Sequence, residues 1–233
     1  GGRAAGGQGT GSCRVTGRIR ERAGFTVTTE KGRLRAGKVI LATSGYSGPL
    51  APWQQRRIIP IGSYVIATEE LPEGLMDRLI PKNRMLGDTR RVVYYYRASP
   101  DRQRILFGGR VSATETDPHK SGPKLHREMV RIFPELAQVR ISHSWCGTVG
   151  YSFDTLMHTG QDRGMYYAMG YCGSGVGMAS YLGMRIGQQA AGLPDGATAF
   201  DEIPFPTRPL YRGKPWFIAP AVTAYRLRDR FGL

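Results

Sequence analysis

One segment constrains this chain more than any other: Tyr166-Tyr-Ala-Met-Gly-Tyr-Cys-Gly-Ser-Gly-Val-Gly-Met-Ala-Ser180. An apolar run ends in closely spaced glycines (Gly170, Gly173, Gly175, Gly177), and a small-residue helix pattern follows from Met178 to about Ala191. Such a strand-to-helix junction aims unpaired backbone N–H groups, and the positive end of a helix dipole, at whatever precedes it. Glycine lets that backbone touch a flat or anionic ligand, because no Cβ intervenes. Taken alone, the segment reads equally well as a ligand cradle and as a tight turn with no ligand.

The rest of the chain gives that junction a setting. Phe25-Thr-Val-Thr-Thr29 alternates as a half-buried strand does, Glu30-Lys31-Gly32 turns, and Arg33–Ala36 returns, which predicts a hairpin. Lys38-Val-Ile-Leu-Ala-Thr43 is a continuous apolar run before Ser44-Gly45, the pattern of a parallel strand buried on both faces. A turn at the end of such a strand lies where open α/β sheets bind ligands. Pro49 to Pro60 reads as a connection, Ile58 to Thr68 as strand, and Leu71–Leu79 as a short helix. Val92-Val-Tyr-Tyr-Tyr-Arg97 and Ile105–Gly109 predict an antiparallel hairpin. Thr114–Pro123 reads as a loop, Leu125–Phe133 as an amphipathic helix ended by Pro134, Val139–Gly147 and Met165–Met169 as strands, and Ala219–Arg230 as a helix. β-rich material from about 58 to 147 between two α/β pieces predicts an antiparallel domain inserted in a cofactor domain.

Bulk properties exclude several classes. A hydrophobic content of 40% over 233 residues argues for a globular protein with ample core. No apolar run approaches the roughly 20 residues of a membrane span, and no signal peptide is visible at the start. Cys13, Cys146 and Cys172 form neither a pair spacing nor a metal motif, so a reduced, cytoplasmic setting and no metal are expected. The net charge of +15 admits a nucleic-acid binder. The arginines are scattered and no nucleic-acid motif accompanies them, so a basic solvated surface is preferred and no nucleic-acid partner is expected. A P-loop, His-Glu-x-x-His and Cys-x-x-Cys are absent, and Cys172 breaks Gly-x-Ser-x-Gly.

Val39-Ile-Leu-Ala-Thr-Ser-Gly-Tyr46, Gly87-Asp-Thr-Arg-Arg91, Leu106-Phe-Gly-Gly-Arg110, Ser144-Trp-Cys-Gly147 and Gly170–Gly177 occur in an order that resembles the FAD-dependent amine and amino-acid oxidoreductases of the D-amino-acid oxidase family. The ensemble is most similar to the gamma-glutamylputrescine oxidoreductase-like branch, from about Val15 to the C-terminus. It departs from that family in having no Gly-x-Gly-x-x-Gly: Gly7, Gly9 and Gly11 miss the spacing and follow no strand. The resemblance implies an α/β (α+β) fold, a partial FAD-binding Rossmann-like domain carrying an inserted antiparallel substrate domain. The expected division is an atypical Gly-rich start (1–14), FAD-binding domain (15–57), substrate domain (58–143), FAD-binding domain continued (144–198) and a tail (199–233).

The same resemblance implies residue roles. Gly173, Ser174, Gly175 and Val176 would lie along the pyrimidine edge of the flavin, where backbone N–H groups meet negative charge. Thr43, Ser44 and Gly45 would approach the adenosine side of FAD, unless they form a plain strand-ending turn. Trp145 and Gly147 would sit on a strand returning toward the ring system, with core packing the alternative for Trp145. His143 reads as structural. The inserted sheet would roof the substrate side, and of its faces one carries Tyr94 and Tyr96, the other Tyr95 and Arg97. One of these pairs could line an aromatic amine pocket, with packing or exposure the alternative; the substrate candidates taken are Tyr94, Tyr96 and, more weakly, Tyr64 for an amine, with Arg97 and Arg110 for a carboxylate. The implied reaction is oxidation of an amine by hydride transfer to flavin, with oxygen or another electron acceptor as the second partner. A chain lacking the diphosphate motif is expected to bind FAD poorly, and a non-catalytic remnant of such a flavoenzyme is the alternative.

Overall fold

The computed structural model describes residues 6–110 and 117–231. In chain order it contains β1 (Val15–Glu21), β2 (Gly24–Thr29), β3 (Gly32–Ala36), β4 (Ile40–Leu41), α1 (Pro52–Gln55), β5 (Ile59–Thr68), α2 (Leu75–Leu79), β6 (Leu86–Gly87), β7 (Tyr94–Ala98) and β8 (Ile105–Gly109). It continues with α3 (Pro118–Ile132), β9 (Ile141–Tyr151), β10 (His158–Asp162), β11 (Met165–Met169), α4 (Gly175–Ala191) and α5 (Ile218–Phe231). The chain divides into two compact units: Gly1–Ile59 with Gly150–Gly213, and Pro60–Val149 with Lys214–Leu233. The seams differ from the sequence boundaries because β5 and β9 run on as continuous strands. The tail is not one piece: Phe205 and Tyr211 are buried in the first unit, Ile218 and Val222 in the second.

The first unit holds an antiparallel meander, β1-β2-β3, and a sheet of order β10-β11-β4. In the meander the expected hairpin closes with Thr29 opposite Gly32. β4 pairs in parallel with β11 through Ile40–Tyr166 and Leu41–Tyr167. The expectation that 38–43 is buried on both faces fails. β4 is two residues long, lies at the sheet edge, and leaves Ile40 42% exposed. The doubly buried strand is β11. Tyr167 and Met169 pack with Ile58 and Phe205 on one face, while Ala168 packs with Leu182 and Ile186 of α4 on the other. β10, whose sequence is largely polar, pairs antiparallel with β11 from His158–Met169 to Asp162–Met165. Side chains bond the Thr159 hydroxyl and His158 Nε2, while His158 Nδ1 has no hydrogen-bond partner among the described residues. His158 Nε2 meets Asp154 Oδ1 at 3.1 Å and its ring stacks on Phe205 at 4.1 Å.

α4 ends at Gly192, whose φ of +78° and N–H bond to Gln189 O at 3.0 Å form a left-handed cap. Beyond it Asp201 ties three segments together. It accepts from Thr159 Oγ1, from Thr198 N at 2.7 Å and from Gln189 Nε2 at 2.9 Å. Burial pushes this carboxyl up, but the hydrogen bonds from Thr159, Thr198 and Gln189 outweigh burial and hold it below the ordinary aspartate value.

The second unit is a five-stranded sheet of order β6-β7-β8-β5-β9, covered on one face by α3. Tyr64 and Ile66 of β5, Tyr94 of β7 and Phe107 of β8 pack with Leu125, Met129 and Phe133. The predicted β7–β8 hairpin forms with Tyr94 opposite Gly109 and Tyr95 opposite Gly108. The expected loop 114–123 is corrected from residue 117 onward; 114–116 lie outside the described residues. Asp117 caps α3 by accepting from His119 N at 2.7 Å and Pro118 takes the first helical position. Pro123 is inside the helix, five residues after its start. No helix among the described residues is long and apolar enough to cross a membrane.

Asp201→Asn should destabilise the chain by about 1.5–3 kcal/mol at neutral pH, the range for hydrogen bonds to charged groups. A carboxyl held below 3.8 contributes stability that is full above that pH and lost as pH falls through the lowered value. Urea unfolding across pH should therefore show the two proteins diverging at neutrality and converging in acid.

Candidate functional site

In the first unit the glycine segment folds around one residue, Gly150. Its carbonyl accepts from Cys172 N at 3.1 Å. A Cβ on Gly150 would stand 2.6 Å from Ser44 Oγ and 2.8 Å from Gly45 N. The turn after β4 and the loop before α4 are therefore both held against the end of β9. Thr43, Ser44 and Gly45 and the segment beginning at Gly173, far apart in sequence, are brought to one node. Two non-glycine residues flank the node in the left-handed region, Ser44 at φ +40° and Cys172 at φ +49°. Such conformations persist only where the surroundings over-determine them, and they cluster at ligand sites.

The loop itself leaves room. Gly170 (φ +79°) and Gly173 (φ +98°) adopt conformations that favour glycine. A Cβ on Gly170 would press on Leu156 O at 3.3 Å, so this glycine is needed for packing. A Cβ on Gly173 would meet only Tyr151 Oη at 3.7 Å, so its side is open. Ser174 N donates to Tyr171 O at 2.8 Å, and α4 starts at Gly175 with no side-chain cap from Ser174. Val176 is 98% exposed, and Gly173 and Ser174 are also exposed. Uncapped helical N–H groups behind an open glycine surface suit a planar group that carries negative charge on its edge. By this test the residues present fit the pyrimidine edge of a flavin.

Beneath the loop, Cys172 Sγ donates to Gly170 O at 3.1 Å and accepts from Ser152 N at 3.4 Å. Ser152 Oγ donates to Leu156 O at 2.7 Å and Leu156 N to Asp154 Oδ1 at 3.1 Å. Burial raises the Asp154 carboxyl, but bonds from His158, Leu156 N and Ser152 bring it below its ordinary value. This charged staple fixes the segment on which Gly170 rests.

In the second unit, strand alternation divides the sequence candidates. Tyr64 and Tyr94 are buried against α3, and Tyr96 stacks on Phe107 at 5.7 Å and meets Phe133 edge-on at 5.3 Å. Burial pushes the Tyr94 phenol up. These three rings belong to the core and are turned away from the open sheet face. Arg110 is buried and donates from Nη1 to Gly62 O at 3.1 Å. Ser144 Oγ of β9 reaches Pro118 O at 2.8 Å on the α3 side. His143, Trp145 and Gly147 therefore lie on the opposite face, where Trp145 is 43% exposed.

That opposite face also carries Tyr95 and Arg97. Tyr95 Oη bonds Ser63 Oγ at 2.5 Å, and Arg97 is exposed with Nε on Ala98 O at 2.9 Å. The Tyr95 ring lies so close over β8 that a Cβ on Gly108 would fall 2.2 Å from its Cε2. Tyr94 occupies the equivalent space over Gly109, on the core face, at 2.3 Å. Tyr95, Ser63 and Gly150 were not among the candidates. Tyr95 had a signal: a Gly-Gly pair directly opposite Tyr-Tyr in a hairpin leaves space for one ring on each face. Among the described residues no His, Cys, Asp or Glu group could hold a metal ion.

Comparison with known proteins gives the family and the fold. Residues 2–189 match the DAO family model, described as FAD dependent oxidoreductase. The chain is 34% identical over 212 residues to gamma-glutamylputrescine oxidoreductase of Escherichia coli, covering 89% of this chain and 49% of that protein. It is 32% identical over 222 residues to a probable oxidoreductase, OrdL, of Rhizobium meliloti, covering 92% and 50%. The chain thus spans about half the length of the curated relatives it matches. Among solved structures it is similar to glycine oxidase from Geobacillus kaustophilus, with a TM-score of 0.69 at 18% identity over 89% of this chain and 55% of that one. L-proline dehydrogenase from P. horikoshii gives 0.65 at 18% identity, covering 94% and 57%.

The two neighbouring glycines of β8 should respond differently to alanine. At Gly109 the methyl meets the buried, stacked Tyr94 ring and Val93 O at 3.2 Å, so Gly109→Ala should cost about 1–3 kcal/mol. At Gly108 it meets a half-exposed ring that can swing away, so Gly108→Ala should cost less while expelling Tyr95. Chemical denaturation of both variants checks the order.

Proposed function

The chain belongs to the DAO family of FAD dependent oxidoreductases, and from that premise we propose that it carries the flavin pyrimidine cradle and the substrate face of an amine oxidoreductase. The observation that carries this reading is the Gly150 node, which sets the Ser44–Gly45 turn and the Gly173–Val176 loop on one support. Gly173, Ser174, Gly175 and Val176 would hold the pyrimidine edge of FAD, with Thr43, Ser44 and Gly45 toward the adenosine side. Bound FAD would supply a two-electron oxidant for the carbon beside an amine nitrogen. The N–H groups at the start of α4 offer fixed positive potential, without reorganisation, to negative charge that develops at the cradle.

The substrate reading moves from Tyr64, Tyr94 and Tyr96 to the sheet face of Tyr95, Arg97 and Trp145. Tyr95 is seated by one hydrogen bond to Ser63 and by the bare floor of Gly108, so its ring offers a wall for an amine. Arg97 is the exposed cation on that face for a substrate carboxylate. Arg110 is already bonded to Gly62 O and helps shape the strand end. An amine bearing a carboxylate, of the gamma-glutamylputrescine kind, meets these requirements. The product imine would hydrolyse in water to a carbonyl compound and an amine, and oxygen or another acceptor would take the electrons.

Two variants test the reading in different ways. Gly173→Val places a branched side chain at φ +98° on the open surface and should weaken FAD binding at least about tenfold in a flavin-fluorescence titration. Gly177→Ala, where a Cβ meets nothing within 4 Å, should bind as the parent does. Measurable FAD binding by the parent with equal affinity in both variants sinks the cradle assignment. Tyr95→Ala in FAD-loaded protein should raise KM for the amine more than it lowers kcat. FAD uptake with no amine-dependent bleaching would favour the non-catalytic alternative.

A further inference from the structure

We propose that the second unit holds a binding cavity for a small polyanion, a ligand bearing at least two phosphate or carboxylate groups. The cavity is open to solvent and has a volume of about 720 Å³, within the size range of small-ligand sites. Three segments converge on it: the stretch 90–94, α3 and α5. From them six cations line it: Arg90, Lys124, Arg127, Arg131, Arg226 and Arg230. The α3 members are spaced three and four apart, and Arg226 and Arg230 on α5 four apart, so each helix gathers solvent-accessible cations along one side that borders the cavity.

The carboxylates of the lining do not neutralise this charge. Both oxygens of Asp229 are taken by backbone donors, Arg91 N at 2.9 Å and Val92 N at 3.2 Å. Glu128 is divided between Arg131 at 2.6 Å and Arg90 at 3.5 Å, and Arg90 also holds Asp88 at 3.2 Å. Arg226 gives one N–H to Arg110 O at 2.9 Å. Lys124, Arg127 and Arg230 have no ion-pair partner among the described residues. Like charges three and four apart on a helix repel, and a cleft lined by one sign concentrates counter-ions. Guanidinium forks from two helices match the oxygen pairs of phosphate or carboxylate groups. Tyr94 edges the cavity from beneath Arg90, whose Cζ lies 5.1 Å from the ring centroid. Tyr94 is on the core face of its sheet, so this cavity is separate from the Tyr95 face and does not depend on the amine reading. A concave site of this size suits a small ligand, whereas a duplex needs an extended basic surface.

The test is thermal unfolding of the whole chain with inorganic pyrophosphate or citrate, each against sodium chloride of equal ionic strength. A saturable rise in Tm beyond the salt control is expected, because a ligand that bridges α3 and α5 binds only the folded state. Pyrophosphate acting alone identifies a phosphate ligand, and citrate acting equally identifies a general polyanion; both support the site. Arg127→Glu with Arg230→Glu should weaken the response at least about tenfold, while Arg33→Glu with Arg35→Glu on β3 should leave it unchanged. If the first pair unfolds, Lys124→Gln with Arg127→Gln carries the same expectation. A rise matched by sodium chloride, or unaltered affinity in the folded cavity variant, overturns the proposal. Displacement of pyrophosphate by a short DNA duplex also overturns it, in favour of a nucleic-acid surface.

Discussion

The close approach of Ser44 and Gly45 to Gly150 is the constraint on which the candidate cofactor site depends. A side chain at 150 would overlap the turn that follows β4, and the same residue's carbonyl anchors Cys172. Remove that contact and the turn and the loop lose their common support. The left-handed conformations of Ser44 and Cys172 are a cost the fold carries there. It is offset by packing on both faces of β11 and by the Ser152–Asp154–His158 staple below. The open glycine surface ahead of α4 is thus rigid underneath and bare on top, which suits a site that must accept a flat ring without rearranging.

The second unit solves a different problem with the same residue type. Its sheet is a core wall on one side, and on the other it carries the face proposed for substrate. The Gly108–Gly109 pair lets a tyrosine lie flat on each side of β8. Tyr94 closes against Phe107 and the α3 layer, while Tyr95 is pinned by Ser63. Membership of the FAD dependent oxidoreductase family places these features in a flavoenzyme setting. The local chemistry of the two tyrosines is fixed by strand register.

Much of this was legible in the sequence, and the reasons for success and failure are physical. The β2–β3 and β7–β8 hairpins announce themselves by alternation and turn residues, and the glycine run announces the start of α4. β10 was invisible because His158 and Thr159 are buried by hydrogen bonds to Asp154 and Asp201, and no apolar pattern marks them. β1 leaves Ile19 exposed and so shows no core stripe. The run 38–43 was apolar enough for a central strand, but centrality depends on neighbours, and among the described residues β4 has only β11. Alternation separated Tyr94 and Tyr96 from Tyr95 and Arg97 correctly. Which pair met α3 was a tertiary choice, made by where Leu125, Met129 and Phe133 fall. Gly150 gave no local sign at all, because what it avoids lies more than half of the preceding chain away.

The discontinuity of the first unit bears on how the chain folds. β4 pairs with β11, and Gly150 meets Ser44 and Gly45, only after the polypeptide has closed a loop containing 60–149. Long loops close slowly and at an entropic cost. β5 and β9 are neighbours in the sheet, and Glu69 at the far end of β5 bonds Arg140 at the start of β9. The two strands therefore run in opposite directions, so the end of the insertion lies beside its beginning. Once that sheet has formed, the effective loop shrinks from the length of the insertion to the gap between two adjacent strands. Pairing of β5 with β9 therefore lowers the entropic cost of bringing β4 to β11 and the Ser44 turn to Gly150.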